Sequence, residues 1–256
     1  SASGGVRFNS DRSLERVQFD RLKVGNWLDV PLDLVGRGAG RSVQVVLRGG
    51  TLDLRRATFG SAPPDPAAPP MEVGVDRLQI TDTIALTGLQ GRFDTRKGLD
   101  GAFKALLNGD APVEGRLVPQ AGRSAVRLLS ADAGRVLRAA GLLKQVVGGS
   151  LSLVLLPVGS GGAFDGKLEI GGVAIKDAPG IAALLNAVSV VGLVNELNGD
   201  GIYFEDVEGS FRLTPNRLTL TEASAVGASM GLSMDGTYAL DTGQIAMQGV
   251  ISPVYL

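Results

Sequence analysis

Few side chains in this sequence of 256 residues could carry covalent or metal chemistry, because it contains no histidine and no cysteine. Their absence excludes thiol nucleophiles, disulfides and triads with a histidine base, and it removes the usual ligands of zinc. Enzymes and metal sites that depend on these two residue types are therefore excluded.

Acidic pairs are the remaining candidates for catalysis, since two carboxylates can cleave a glycosidic bond. The sequence offers Glu205 beside Asp206, and Asp94 close to Asp100. Adjacent residues of a strand point to opposite faces, so Glu205 and Asp206 cannot easily share one site. We interpret both pairs as solvated surface charge.

Residues 161–167, Gly-Gly-Ala-Phe-Asp-Gly-Lys, imitate a phosphate-binding loop. However, Leu168 stands where a Ser or Thr would hold magnesium, and a strand is predicted where a helix should begin. The stretch therefore predicts a hairpin turn.

Charge and aromatic content argue against a nucleic-acid partner. Lys and Arg total 25 against 26 Asp and Glu, and aromatic residues make up only 5% of the chain. A nucleic-acid binder needs a basic field and rings on which bases stack. Arg123, Arg127, Arg135 and Arg138 lie close in sequence, and either lipid phosphates or solvent would explain them.

Apolar residues alternate with small or polar ones from Ala225 to Asp241. Because successive side chains of a strand point to opposite faces, this period of two predicts one long strand that is wet on one side only. At ~3.4 Å per residue the strand would run roughly 50 Å. Something large and apolar must cover its other face, either protein or ligand.

Similar alternation predicts strands along most of the chain. These are 17–24, 28–35, 43–48, 51–59, 73–80, 84–93, 99–107, 113–118, 124–129, 151–156, 167–170, 202–213, 217–223, 225–240 and 244–251. Glycines at 36–40 and 49–50 are predicted to form turns between strands. Residues 1–60 then form an N-terminal strand region, 61–72 a Pro-rich loop or linker, and 73–256 a second β region.

Two helices are predicted within the second region. The first spans 131–147, with Ser130 as its cap and Gly148 and Gly149 at its end. The second spans 179–197 and is apolar on nearly all sides, which is typical of a helix buried in the fold, although it could also plug one end of the sheet or touch a membrane. The predicted fold class is mainly β with two helices, its long antiparallel sheet curved into a trough or an open sandwich.

The longest apolar run, 181–194, is shorter than the ~20 residues that a bilayer span requires. The first five residues, Ser-Ala-Ser-Gly-Gly, resemble a linker, and the last residues are apolar without a closing turn. We interpret the chain as part of a longer protein.

The last half of the chain carries a series of glycine-rich and apolar motifs. They are Gly166-Lys167-Leu168-Glu169-Ile170, Lys176-Asp177-Ala178-Pro179, Gly199-Asp200-Gly201-Ile202-Tyr203-Phe204, Val207-Glu208-Gly209-Ser210-Phe211, Ala225-Val226-Gly227-Ala228-Ser229-Met230-Gly231 and Gly249-Val250-Ile251-Ser252-Pro253. This series resembles the C-terminal region of the AsmA-like family of Gram-negative envelope proteins, over roughly residues 125–256.

The resemblance implies a periplasmic protein, tethered to the inner membrane by an anchor that this sequence lacks. It implies a long β trough with an apolar interior that carries phospholipid towards the outer membrane, where a further partner is possible. It brings no catalytic residues, and we therefore expect a protein that is not an enzyme and that uses no metal or cofactor.

The candidate groove residues are apolar positions of the last predicted strands. They are Ile202, Phe204, Phe211, Leu218, Leu220, Val226, Met230, Leu232, Met234, Ile245 and Met247. Phe204 and Phe211 differ in parity, so sharing a face would need a bulge, which we predict at Gly209. The same residues would also suit the dry core of a β-sandwich.

Two other functions remain open at this point. The chain could be a structural or assembly factor that offers strand edges to outer-membrane proteins by β-augmentation. An enzyme built on a β-solenoid is the third reading, and it would require a solvent-open cluster of carboxylates.

Overall fold

The computed structural model describes residues 2–38, 40–55, 65–120, 122–159, 162–178, 182 and 200–253. This part of the chain contains sixteen strands and one α-helix, which confirms the predicted mainly β, largely antiparallel class. The strands are β1 (Ala2–Phe8), β2 (Leu14–Val24), β3 (Leu28–Val35), β4 (Gln44–Arg48), β5 (Thr51–Asp53), β6 (Met71–Gln79), β7 (Ala85–Asp94), β8 (Asp100–Leu107), β9 (Ala111–Gln120), β10 (Arg123–Ser130), β11 (Val146–Val158), β12 (Ala163–Ile175), β13 (Ile202–Leu213), β14 (Arg217–Val226), β15 (Met230–Ala239) and β16 (Ile245–Pro253). The helix, α1, is Ala133–Ala139.

The chain divides into two compact units, Ser1–Ala125 (unit 1) and Val126–Leu256 (unit 2). The division therefore does not fall in the Pro-rich segment 61–72. Strands β4 and β5, before that segment, pair in parallel with β6, after it, and this pairing joins both sides into one unit. Residues 71 and 72 belong to β6 rather than to a linker.

Unit 1 is a sheet with the strand order β1-β2-β3-β4-β6-β7-β8-β9, in which β5 pairs with β3 and β6. Residues 2–5, predicted to be a linker, lie in β1 and pair with β2. The glycine pattern predicted a turn at Gly49 and Gly50, but the chain does not reverse its direction there. Both have positive φ, and β4 and β5 on either side of them run in the same direction along β3. The two glycines interrupt the strand between β4 and β5 without changing the direction of the chain.

Unit 2 contains the antiparallel order β10-β11-β12-β13-β14-β15-β16. The single long strand predicted over 225–240 is wrong. The chain turns at 227–229, where the Gly227 N–H donates to the Met230 carbonyl at 3.1 Å. The next pairs are Val226 with Gly231 and Ala225 with Leu232. Apolar and polar residues alternate in the sequence through the turn without interruption, so the sequence pattern does not show where one strand ends. Only the cross-strand pairing separates β14 from β15.

Helix α1 is shorter than the predicted 131–147. Asp132, not Ser130, is its cap, and the Asp132 side chain accepts a hydrogen bond from the Arg135 N–H at 2.9 Å. The helix ends in a Schellman motif: Gly141, at φ +74°, donates to the Arg138 carbonyl, and Leu142 donates to the Leu137 carbonyl, both at 2.9 Å. The positive φ of Gly141 ends the helix before Gly148 and Gly149, which lie within β11.

The second predicted helix, 179–197, lies outside the described residues except for Ala182. That residue is helical, and its N–H donates to the Ala178 carbonyl at 2.9 Å. Residues 56–59 of the strand predicted at 51–59 also lie outside the described part of the chain.

The core of unit 2 lies where α1 packs on the sheet. Ala133 and Leu137 are buried against a cluster that includes Val146, Val173 and Ile202. Gly134 permits this close contact, because a Cβ at that position would lie 2.5 Å from the Val146 carbonyl oxygen.

The helix end supplies a stability prediction. Gly141→Ala places a Cβ in the left-handed region without any neighbour within 4 Å, so its cost is purely conformational. We expect the free energy of unfolding to fall by about 1 kcal/mol in a urea titration. Gly231→Ala, whose φ is not positive and whose nearest neighbours lie at 4.0 Å, is the control and should change it little. Equal effects of the two substitutions would contradict this account.

Candidate functional site

One face of the unit 2 sheet carries apolar side chains in continuous rows across the strands. Directly opposed residues of an antiparallel pair lie on the same side of the sheet, so the pairings define each row. The first row is Leu151, Ile170, Val207, Ala225, Leu232 and Ile251, the second is Leu153, Leu168, Gly209, Ala223, Met234 and Gly249, the third is Leu155, Gly166, Phe211, Leu220, Gly236 and Met247, and the fourth is Pro157, Phe164, Leu213, Leu218, Tyr238 and Ile245. We call these four rows the apolar face.

Phe204 lies on the same side of the sheet as Phe211, although their positions differ in parity. Phe211 pairs with Gly166, which is on the same side of β12 as Ile170. Phe204 pairs with Val173. Val173 and Ile170 belong to one buried cluster, so Phe204 and Phe211 are on the same side. The change of parity therefore lies between Ile170 and Val173, where Gly172 has φ +68°.

The bulge predicted at Gly209 is wrong. Gly209 pairs regularly with Leu168 and with Ala223, and the irregularity between β13 and β14 falls one step later, between Ser210 and Phe211. The matching irregularity in β14 allows Leu220 and Ala223 to face the same side. The presence of a glycine at 209 therefore did not identify the irregularity, which lies between Ser210 and Phe211.

The predicted groove residues fall into four groups. Ile202, Phe204 and Met230 are at most 3% exposed and belong to the protein core. The half-buried residues on the apolar face are Phe211, Leu218, Leu220, Leu232 and Met234. Ile245 and Met247 lie on the same face and are 68% and 43% exposed. Val226 is exposed on the opposite face, so the prediction that it shares a face with Leu232 is wrong.

Burial across the apolar face is therefore uneven. It is complete near α1, where Leu151 and Ile170 belong to the core, and it decreases towards β14, β15 and β16. A contiguous, partly exposed apolar surface is unfavourable in water and commonly marks a surface that contacts another apolar partner.

One aromatic ring on the apolar side of each unit lies over a glycine. A Cβ on Gly166 would be 2.2 Å from the Phe211 ring, and a Cβ on Gly115 would be 2.1 Å from the Phe103 ring. Each ring and glycine are direct cross-strand partners. Only glycine leaves room for a ring that lies across the neighbouring strand.

Unit 1 has a similar apolar face, whose residues are not among the predicted groove residues. Two of its rows are Val17, Leu34, Val45, Met71, Phe93, Gly101 and Leu117, and Phe19, Leu32, Leu47, Val73, Gly91, Phe103 and Gly115. Most of these side chains are half-buried. The alternation of Leu28, Val30, Leu32 and Leu34 was the signal that could have revealed this face.

The opposite face of unit 2 carries charged side chains, some of which form ion pairs. Arg212 binds its cross-strand partner Asp165 with two hydrogen bonds, of 2.7 and 2.9 Å, and the Lys167 ammonium lies 2.7 Å from Glu169. The hydrogen bond from Arg212 lowers the pKa of Asp165, and the one from Lys167 lowers the pKa of Glu169. These carboxylates are therefore held in the ionised form.

Two pairs of carboxylates are direct cross-strand partners, Glu169 with Glu208 on this polar face and Asp94 with Asp100 in unit 1. A glycosidase needs one carboxyl with a raised pKa to act as an acid, whereas Lys167 lowers the pKa of Glu169. Across the described ranges, no group of three or more acidic residues is arranged to hold a metal ion. The helical part of the described chain contains no segment of the length and apolarity needed to cross a bilayer.

The polar face of unit 1 contains one buried carboxylate, Asp33, which is 4% exposed. Arg16 donates a hydrogen bond to it, and the Arg48 Nε lies 3.1 Å from its Oδ2. Burial would raise the pKa of Asp33, but the hydrogen bonds and charges of the two arginines outweigh burial and lower it. The group joins β2, β3 and β4 on the side of the sheet away from the apolar face.

Comparison of the chain with protein-family models, curated proteins and solved structures gives no match. The assignment of the candidate site therefore rests on the geometry of the apolar face and on the sequence motifs.

The Asp33 group generates a prediction about pH. Asp33→Asn removes the charge between two arginines, and we expect the free energy of unfolding at pH 7 to fall by about 1–2 kcal/mol. A lowered folded-state pKa contributes stability above the ordinary value of 3.8, and this contribution is lost as pH falls through the folded-state pKa. The difference in the free energy of unfolding between wild type and variant, measured in urea titrations, should therefore narrow as pH falls from 3.8 through the folded-state pKa.

Asp82→Asn is the control for this experiment, because Asp82 also binds an arginine, Arg55, but is 89% exposed in its side chain. Exposed ion pairs contribute little to stability, so this variant should unfold like wild type at neutral pH. A gap for Asp33→Asn that stays constant with pH would refute the electrostatic role.

Proposed function

We propose that the chain is part of a periplasmic AsmA-like envelope protein, anchored to the inner membrane in its full length, that carries phospholipid between the two membranes. The observation that supports this proposal is the apolar face of unit 2. Its four rows contain no charged residue across six strands, and its side chains in β14, β15 and β16, apart from the buried Ala225, are half-buried or exposed. In this proposal the acyl chains of the lipid contact that surface.

The energetics of acyl chains favour such a surface over a polar site. Exposing one CH₂ group to water costs about 0.8 kcal/mol, so a chain of about sixteen carbons costs on the order of 13 kcal/mol. Contact with Phe211, Leu220 and Leu232 removes part of this cost without any directional bond. Met234 and Met247 add flexible, polarisable side chains that adapt to chains of different shape.

Transport of this kind requires no covalent step. In our proposal the protein is not an enzyme and uses no cofactor or metal, and the paired charges of the polar face keep that side in water. Lys167 with Glu169 and Arg212 with Asp165 supply this hydrated surface. The lipid headgroup remains solvated while the tails are covered.

The proposal predicts that a charged apolar face loses lipid. Leu232→Asp combined with Met234→Asp places two carboxylates in the centre of the apolar face, where an acyl chain cannot solvate them. We expect phospholipid that copurifies with the wild-type chain to be lost, as measured by native mass spectrometry with lipid extraction.

Ser233→Asp combined with Thr237→Asp is the matched control. It adds the same two charges to the same strand, on the polar face, where Ser233 pairs with Val250 and Thr237 with Ala246. Circular dichroism verifies that both variants are folded. A wild-type chain free of lipid, or equal lipid in both double variants, would refute the assignment of this face.

An assembly factor for outer-membrane proteins is the alternative function, and one observation favours it. In the described part of the chain β16 pairs with β15 only, and residues 245–250 are exposed. A strand edge with free backbone groups can bind an extended segment of another protein. The Ala239 N–H donates to the Gln244 carbonyl, so by the alternation of an antiparallel ladder the N–H of Met247 points to the free edge of β16. Met247→Pro would remove this donor, so it should weaken capture of an unfolded outer-membrane β-protein.

A further inference from the structure

A second exposed apolar feature lies away from the apolar face, in the connection 140–145 between α1 and β11. Leu142 and Leu143 are adjacent and are 61% and 51% exposed. We call this connection the Leu142 loop. Connections at the surface are usually polar, so two neighbouring exposed leucines require an explanation.

The backbone of the Leu142 loop is fixed at both ends. At its start, Gly141 and Leu142 close the Schellman motif by donating to the carbonyls of Arg138 and Leu137. At its end, the Gln145 carbonyl accepts a hydrogen bond from the Lys176 N–H at 3.0 Å. The leucines are therefore presented to solvent by an ordered turn.

Basic residues flank the two leucines. Lys144 follows them directly and is exposed, and Arg138 is exposed on the last turn of α1, where its side chain also donates a hydrogen bond to the Val146 carbonyl at 2.9 Å. Lys176 is joined to the end of the loop through its backbone N–H. Asp177 is the acidic residue next to Lys176 in sequence. The local balance is positive, in a chain whose net charge is -1.

We propose that the Leu142 loop docks unit 2 on the surface of an anionic phospholipid bilayer. The leucines insert at the boundary between headgroups and acyl chains, while Lys144 and Arg138 bind lipid phosphates. A protein partner fits less well, because a stable protein interface covers about 800 Å² on each side, and two leucines and their neighbours supply far less apolar area. The inference goes beyond the proposed function, since it concerns residues outside the apolar face.

Vesicle flotation tests the proposal with the whole chain. Vesicles of phosphatidylcholine mixed with phosphatidylglycerol should bind the wild-type chain, and vesicles of phosphatidylcholine alone should bind it weakly. We expect Leu142→Ser combined with Leu143→Ser to reduce binding about tenfold or more, because both apolar side chains are removed from the insertion. Lys144→Gln should reduce binding less and should weaken its dependence on salt.

Leu156→Ser combined with Leu240→Ser is the matched control. These leucines are 41% and 43% exposed elsewhere in unit 2, so the control removes the same chemical groups and should bind vesicles like wild type. All four leucines are exposed, so both variants should fold, and Leu143→Ser alone gives a second test if the double variant does not. A wild-type chain that fails to float, or equal binding by the two double variants, overturns the proposal.

The same assay separates docking from lipid carriage. Leu232→Asp combined with Met234→Asp changes the apolar face and leaves the Leu142 loop intact, so it should float like wild type even where it has lost bound lipid. Loss of flotation in this variant would show that binding to vesicles occurs through the apolar face and would refute docking by the loop.

Discussion

The structure depends on one constraint, which is that each strand must keep its apolar side chains on the same side as those of its neighbours. Direct cross-strand pairs share a side, so one residue of slippage would move a whole row to the opposite face. In unit 2 this constraint holds across six strands, from Leu151 to Ile251. Irregularities are present where the sequence changes parity, at Gly172 and between Leu220 and Ala223, and each one returns the apolar residues to the common side.

The two faces produced by this constraint differ in what they can do. The polar face holds opposed charges such as Arg212 and Asp165, whose pairing keeps the carboxylate ionised. The apolar face offers area without directional bonds. A surface of this kind suits a ligand that is large, flexible and apolar, and this is the basis for the proposal that acyl chains contact it.

Helix α1 links the covered and the exposed parts of unit 2. Its buried side, Ala133 and Leu137, completes the core, and its C-terminal turn presents Leu142 and Leu143 to solvent. The Schellman motif at Gly141 determines both the length of the buried helix and the exposure of the two leucines, because it ends the helix after two turns and redirects the chain into β11. Carriage of lipid along the sheet and docking of the loop on a bilayer would use separate residues of the same unit.

Alternation in the sequence was sufficient to determine the mainly β class and the bounds of strands such as β3 and β13, because the period of two is a local property of each strand. It did not reveal the turn at 227–229, since the alternation runs through that turn without interruption. It also could not separate the buried Met230 from the exposed Ile245, which look equivalent in an apolar pattern. Burial depends on which strands pair and on what packs over them, and those contacts join residues distant in sequence. Only the tertiary structure therefore decided which predicted groove residues form core and which remain half-buried or exposed.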